Sequence, residues 1–153
     1  MSLCPPSVRI AVPSDREDLF AFFWEAHEEM NYASKDADKV KATIWTATTV
    51  RKNPVFGVIR GTSGIEAAIG LYFSAWWYSN DPVLMSFTFY VHPDHRRTSH
   101  ASDLREFAAW FAEQIEMPLV LVHLGDQSSK KATVFQKNTC HIGSMFARGL
   151  AVA

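Results

Sequence analysis

The sequence has little cysteine, no excess of either charge and no long apolar run. Its two cysteines, Cys4 and Cys140, suggest neither a disulfide framework nor a metal site. The formal net charge of −1 provides no general field that would attract nucleic acid or a membrane surface. No apolar stretch reaches the length that crosses a bilayer, and no signal peptide is visible. We therefore expect a cytoplasmic protein without nucleic-acid or membrane partners.

What the chain does have is an ordinary globular composition. It contains 153 residues, of which 48% are hydrophobic and 20% are charged. A chain of this length buries roughly two-thirds of its unfolded surface when it folds. We find no internal repeat, no low-complexity segment and no linker. We therefore expect one domain that spans residues 1–153.

Apolar spacing and turn residues predict the element order β-α-α-β-β-β-α-β-α-β. A first strand is expected at residues 8–12, and Ser14 with Glu17 forms a capping box that begins the first helix. Ser34 or Asp36 is expected to begin the second helix. The inward faces of these two helices are predicted to carry Leu19, Phe22, Phe23, Ala26, Met30, Val40, Ile44 and Ala47.

The following strands are predicted at residues 55–60, 65–73 and 84–91, and the first two form a hairpin. The next helix has an apolar face of Leu104, Phe107, Ala108, Phe111 and Ile115. The apolar run at residues 119–122 reads as a strand buried on both faces. Asp126 or Ser128 is expected to cap a short helix, and residues 144–151 read as a last strand.

The succession of strand, helix and strand from residue 84 to residue 122 predicts a parallel pair within an otherwise antiparallel sheet. The fold class is therefore α+β, with a mixed central sheet, a parallel strand 4/strand 5 pair and helices on both faces. Ligands gather where parallel strands end. We therefore expect these two strands to separate at their C-terminal ends and leave a cleft.

The stretch from Val91 to Leu104 joins strand 4 to the next helix and has the character of an anion site. The first N–H groups of a helix lack partners within the helix, and the helix dipole places partial positive charge there. Arg96 and Arg97 add two guanidinium groups suited to phosphate oxygens. The small residues Thr98, Ser99 and Ala101 allow a ligand to approach the backbone.

This stretch, V-H-P-D-H-R-R-T-S-H-A from Val91 to Ala101, resembles the acetyl-CoA motif of the GNAT superfamily of N-acetyltransferases. Arg96 matches the first position of that motif and Ala101 the last, whereas Ser99 stands where a glycine is usual. The element order extends the resemblance over nearly the whole chain. The resemblance implies acetyl-CoA as co-substrate and no metal. It implies cofactor-binding residues at Phe89, Tyr90, Val91, Arg96, Arg97, Thr98, Ser99, His100, Ala101, Ser128 and Lys131.

The resemblance also implies direct attack of an amine on the thioester, with the oxyanion held by a strand 4 backbone amide at a bulge. The tyrosine that protonates the leaving sulfur in the family is replaced here by Phe135. The candidates for the acid that replaces this tyrosine are Tyr90, Tyr78, Cys140 and a water molecule. Candidates for the base are Glu28 or Glu29 on the first helix and Glu66 on strand 3, although a solvated helix face also explains the first two. Our catalytic candidates are Glu28, Glu66 and Tyr90.

Two further groups of residues have more than one reading. His92, His95 and Asp94 favour a solvated turn over a metal site. Trp76, Trp77 and Tyr78 could line an acceptor pocket by cation–π contact, pack beneath their loop or form a homodimer contact. We expect transfer to a primary amine of a small molecule or a peptide. The alternative is a catalytically weak or inactive acyl-CoA-binding module.

Overall fold

A computed structural model describes residues 2–30, 35–50, 53–122 and 133–135 of the chain. The helices are α1 (Arg16–Met30), α2 (Ala37–Val50) and α3 (His100–Gln114). The strands are β1 (Arg9–Ile10), β2 (Val55–Gly61), β3 (Gly64–Ala75), β4 (Pro82–Val91) and β5 (Leu119–Val120). Residues 133–135 are also helical.

The described strands form one sheet in the order β1-β2-β3-β4-β5. Neighbours are antiparallel from β1 to β4, whereas β5 runs parallel to β4 with Leu84 opposite Leu119 and Met85 opposite Val120. The predicted parallel pair within an antiparallel sheet is therefore confirmed. The mixed sheet with helices gives the α+β class that the sequence predicted.

Each face of the sheet carries its own apolar core. On one face, Leu104, Phe107, Ala108 and Phe111 of α3 pack against strand residues that include Val55, Ile69, Leu71, Leu84 and Phe89. On the other face, α1 and α2 contribute Leu19, Phe22, Phe23, Ala26, Ile44 and Ala47, which pack against Phe56, Val58 and Tyr90. Burying a side chain of this size contributes about 1.5–3 kcal/mol. These contacts confirm the predicted inward faces of the helices, apart from the Met30 side chain, which lies outside the described part.

Gly57 shows how closely α3 approaches the sheet. A Cβ atom at this position would lie 2.5 Å from the Phe107 ring. The ring therefore occupies the space that any larger residue would need, so this position requires glycine for packing.

Two bulges interrupt the regular pairing of the central strands. On β4, Thr88 lies opposite Gly70 and Ser86 lies opposite Leu71, which leaves Phe87 as the extra residue. On β3, Ala67 lies opposite Ile59 and Ile65 opposite Arg60, which leaves Glu66 as the extra residue. A bulge bends the strand and changes the direction of a side chain.

The predicted capping box at Ser14 and Glu17 is wrong. A 3-10 turn at Pro13–Asp15 precedes α1, and the buried Asp15 carboxylate accepts the N–H of Val12 at 2.8 Å. The same carboxylate binds the guanidinium groups of Arg9 at 2.7 Å and Arg60 at 3.3 Å. Asp15 therefore stabilises the start of α1, because a buried carboxylate needs several donors.

Other boundaries differ less from the prediction. β1 is shorter than residues 8–12, and the 119–122 run is only partly buried rather than covered on both faces. Asp36 does cap α2, since its side chain accepts the N–H groups of Asp38 and Lys39. The predicted caps at Asp126 and Ser128 and the strand at 144–151 lie outside the described residues. Among the described helices, none combines the length and apolar character needed to cross a membrane.

Candidate active site

The described pairing between the two parallel strands consists of two residue pairs near the start of β4. The described ladder ends at Met85 and Val120, and the Val122 N–H then donates to the Ser86 hydroxyl at 2.9 Å instead of to the β4 backbone. Over residues 86–91 the described part shows no further pairing with β5. The separation expected beside Phe89–Val91 stays a prediction, because the residues directly after Val122 lie outside the described part.

The backbone groups of Phe89 and Val91 face the β5 edge of β4. The His92 N–H donates to the Glu66 carbonyl of β3 at 2.9 Å. Because alternate residues of a strand direct their N–H and C=O groups to opposite edges, Phe89 and Val91 direct theirs toward β5. The Val91 carbonyl accordingly accepts the Nε–H of Arg96 at 3.1 Å. The Phe87 bulge lies just before this segment, whereas Phe89–Val91 pair in regular register with β3.

The turn between β4 and α3 requires no left-handed residue. Ser99, which stands where the motif usually has glycine, has φ −77° and ψ 1°. The serine therefore introduces no backbone strain. The Thr98 hydroxyl accepts the His100 N–H at 3.3 Å, whereas the N–H groups of Ala101 and Ser102 have no partner within the described residues. These two donors are the ones that the start of α3 can offer to an anion.

Arg96 and Arg97 differ in what they contact. Besides Val91, the Arg96 guanidinium binds Glu29 at 2.7 Å and lies 5.5 Å from the centre of the Tyr90 ring. Arg97 is exposed and has no hydrogen bond or ion pair among the described residues. Arg96 therefore anchors the turn to α1 and β4, whereas Arg97 remains available to a ligand.

Tyr90 and Glu29 form the other half of this network. The Tyr90 hydroxyl donates to the same Glu29 oxygen that binds Arg96. The hydrogen bonds from Arg96 and then from Tyr90 lower the pKa of Glu29, while burial and the Glu29 contact raise the pKa of Tyr90. Glu29 is thus a poor proton acceptor and Tyr90 a poor proton donor at neutral pH.

The candidate bases lie in different surroundings. Glu28 is exposed and pairs with Lys35, so of the two neighbouring carboxylates it is Glu29 that reaches β4. Helical spacing contained this signal, because Glu29 follows Ala26 by three residues and Phe22 by seven. Glu66 lies elsewhere: its described ionic contacts are with His95 and His100, and none is with Glu28 or Tyr90. The catalytic roles of Glu28, Glu66 and Tyr90 stay predictions.

Glu66, His95 and His100 come together although they are far apart in the sequence. Nε2 of His100 lies 2.6 Å from one Glu66 oxygen, and Nε2 of His95 lies 3.7 Å from the other. The two imidazole rings stack with their centroids 5.8 Å apart. A cleft of about 260 Å³ opens beside them, and its lining includes Asp18, Glu25, Ile65, Glu66, His92 and His95. No spacing in the sequence indicates this cluster, because three separate elements supply it.

Phe135 and the aromatic residues after β3 lie in different parts of the fold. Phe135 is buried with its ring edge-on to Phe89, at a centroid distance of 4.8 Å. Trp77 and Tyr78 are exposed after β3, and Trp76 stacks on Tyr78 at 6.1 Å. Ser128 and Lys131 lie outside the described residues, as does Cys140.

Comparison with known proteins finds similarity in structure only. No protein-family model and no curated protein sequence matches the chain. Three similar solved structures are a GNAT family acetyltransferase from Staphylococcus aureus, a predicted acetyltransferase from Clostridium acetobutylicum with acetyl-CoA, and an aminoglycoside acetyltransferase from an uncultured soil metagenomic sample with sisomicin. Their TM-scores are 0.68, 0.71 and 0.66, at sequence identities of 14%, 12% and 14%.

These likenesses extend over almost the full length of each protein. They cover 94%, 92% and 94% of this chain and 97%, 93% and 95% of the three solved chains. At such low identity the similarity establishes the architecture and not the activity. With its mixed sheet, its parallel β4–β5 pair and its basic turn before α3, the chain has the fold of the GNAT acetyltransferases.

Proposed function

We propose that this protein transfers an acetyl group from acetyl-CoA directly to a primary amine. The observation that carries the proposal is the basic turn before α3, where the N–H groups of Ala101 and Ser102 and the exposed Arg97 come together. This arrangement suits the phosphates of CoA, and the adjoining Phe89–Val91 backbone faces the β5 edge of β4. A cytoplasmic location stays a prediction.

In the proposed reaction the amine nitrogen attacks the thioester carbon. A C–N bond forms, the C–S bond breaks, and the sulfur leaves as a thiolate while the amine loses its proton to a base. The oxyanion would be stabilised by a β4 backbone amide directed toward β5, and stabilisation of this type is often the largest catalytic contribution. Because a thiol has a pKa of about 8.5, the sulfur can leave without a dedicated acid.

The phosphates would bind at the start of α3. Arg97 would supply charge, and the N–H groups of Ala101 and Ser102 would supply hydrogen bonds. Thr98, Ser99 and His100 would contact the ligand through the same turn. Arg96 would act mainly by holding the turn against Glu29.

The proposed acceptor is a small molecule with a primary amine. The support is that one similar structure is an aminoglycoside acetyltransferase with sisomicin bound. A peptide amine remains the alternative acceptor. A catalytically weak acyl-CoA-binding module is the second candidate function, and it is favoured by Phe135, which has no proton to give at the position of the family's acid.

The test measures binding and turnover separately. Calorimetry with CoA should show binding that weakens by about tenfold in Arg97→Ala, the loss expected for one phosphate contact. Arg96→Ala with Arg97→Ala should weaken it further. Lys39→Ala, which removes an exposed charge on α2, is the matched control. Unchanged CoA affinity in the double variant would overturn the proposed phosphate site.

Turnover is measured as free thiol released from acetyl-CoA in the presence of a panel of amines. Release that depends on the amine supports acetyl transfer. Normal CoA binding without release from any amine would instead identify a binding module.

A further inference from the structure

We propose that Glu66, His95 and His100 bind a divalent transition-metal ion of the Zn²⁺ class. This site adjoins the proposed CoA-binding turn, to which His100 also belongs, but metal binding there does not require acetyl transfer. The three residues come from β3, from the turn after β4 and from the first position of α3. Bound metal would therefore join the sheet to the start of that helix.

The donor atoms already converge. One nitrogen from each histidine and one oxygen from Glu66 all lie within 4.8 Å of one another. Both Nε2 atoms face the same carboxylate, one at each oxygen, at 2.6 Å and 3.7 Å. Zinc binds histidine nitrogen and carboxylate oxygen at about 2.0–2.2 Å. Small rotations of these side chains would place an ion among them, in place of the contact between His100 and Glu66.

The geometry also selects which ring atoms can bind. Nδ1 of His100 is buried and has no hydrogen-bond partner among the described residues, so Nε2 is the nitrogen that this ring offers. Side-chain exposures of 19%, 32% and 15% for Glu66, His95 and His100 leave access from solvent yet shield the carboxylate. Glu66 and His95 both line the 260 Å³ cleft, so a fourth, open position would face that space.

The backbone directs Glu66 toward the histidines. Glu66 is the extra residue of the β3 bulge, and bulges are common where a strand must redirect a side chain near a site. The carboxylate lies across Gly61, where an added Cβ would be 1.8 Å from Oε1. Gly61 therefore leaves room for the observed position of the carboxylate.

The charge of Glu66 has no permanent counterion. Among the described residues its ionic partners are His95 and His100, and neither lysine nor arginine pairs with it. A bound divalent ion would place fixed positive charge beside this carboxylate. Two histidines and one carboxylate with an open position form a donor set that suits zinc.

The experiment titrates Zn²⁺ into chelator-treated protein and follows heat and thermal unfolding. We expect one ion per chain and a higher Tm, because an ion that binds only the folded state stabilises it. Glu66→Gln and His100→Ala should abolish this binding. Gly61→Ala keeps all three ligands but displaces the carboxylate, and it should weaken binding by about 10–100-fold, as loss of support for a ligand does.

Two control variants test whether other histidines bind the ion. His27→Ala on α1 and His123→Ala after β5 should bind Zn²⁺ as the parent does. A zinc-edge anomalous difference map of crystals of the parent protein should show a peak among the three side chains, independently of whether any variant folds. No binding by the parent, a peak elsewhere, or full binding by a folded Glu66→Gln or Gly61→Ala variant would overturn the proposal.

Discussion

The Tyr90 hydroxyl illustrates how surroundings decide what a single residue can do. It appeared from the sequence as a candidate acid, but it donates its proton to Glu29, and its pKa is raised by burial and by that carboxylate. A proton held in this way is a poor one to give to a departing thiolate. The network of Tyr90, Glu29 and Arg96 is better suited to fixing the turn after β4.

We predict that Phe135→Tyr increases the rate of acetyl transfer. The Phe135 ring packs edge-on against Phe89 of β4, and the resemblance to the family assigns this position to the tyrosine acid. The gain should be at most about 10²-fold, the lower end of general acid catalysis, and it should shrink as pH rises toward about 10. The measurement is the single-turnover rate across pH at saturating acetyl-CoA.

A paired variant identifies the source of the proton. Tyr90→Phe should leave the rate of the chemical step unchanged within about threefold, if the hydroxyl only positions the turn. A large loss in Tyr90→Phe, with no gain in Phe135→Tyr, would show that Tyr90 already supplies the proton.

At the level of elements, one carboxylate connects three pieces of structure. Asp15 lies before α1 and binds Arg9 of β1 and Arg60 of β2, as well as the N–H of Val12. The Arg9 hydrogen bond, followed by the Val12 N–H, lowers the pKa of Asp15 despite its burial. Ionised Asp15 is therefore part of what holds α1 against the edge of the sheet.

We predict that Asp15→Asn lowers the free energy of unfolding by about 2 kcal/mol at pH 7. A carboxyl whose folded pKa is depressed stabilises above its unfolded pKa of about 3.9, and this contribution is lost as pH falls through the folded pKa. The difference between the variant and the parent should therefore shrink below about pH 4. Urea denaturation between pH 3 and pH 7 measures it.

Asp38→Asn is the control, since Asp38 is exposed on α2. It should change the free energy of unfolding by less than about 0.5 kcal/mol at every pH. A constant difference between Asp15→Asn and the parent down to pH 3 would contradict the assigned role.

The elements themselves could be predicted because their signals are local. Helical spacing placed Leu19 and Phe107 in the core, and the strand, helix and strand after residue 82 fixed the parallel pair. The start of α1 was predicted wrongly because the Asp15 carboxylate binds Arg9 of β1 and Arg60 of β2, which only the folded sheet brings close. The histidine cluster was missed for the same reason, since His95 and His100 meet Glu66 only after the sheet has formed.

The proposed ligand site lies at a junction of elements. α3 and its core lie on one face of the sheet and α1 and α2 on the other, and the turn between β4 and α3 is bound to α1 through Arg96 and Glu29. A ligand at that turn would act on several elements at once. Its binding should consequently stabilise the entire fold rather than one loop.

We predict that CoA at about 100 times its Kd raises the free energy of unfolding by about 2.7 kcal/mol, which corresponds to a rise in Tm of roughly 5–10 °C. Differential scanning calorimetry measures the shift. Arg97→Ala should reduce the shift at the same CoA concentration, whereas Lys39→Ala should retain it. Equal shifts in all three proteins would mean that CoA binds away from the start of α3.

The bulge at Phe87 shifts by one residue the positions of β4 that face α3. Before it, the even-numbered residue Leu84 belongs to the α3 core, and after it the odd-numbered residues Phe89 and Val91 do. Plain alternation through the same residues, without the bulge, would exchange the two faces, sending Tyr90 toward α3 and Phe89 toward α1. The extra residue therefore keeps Phe89 and Val91 in the core under α3 and Tyr90 in the core under α1 and α2.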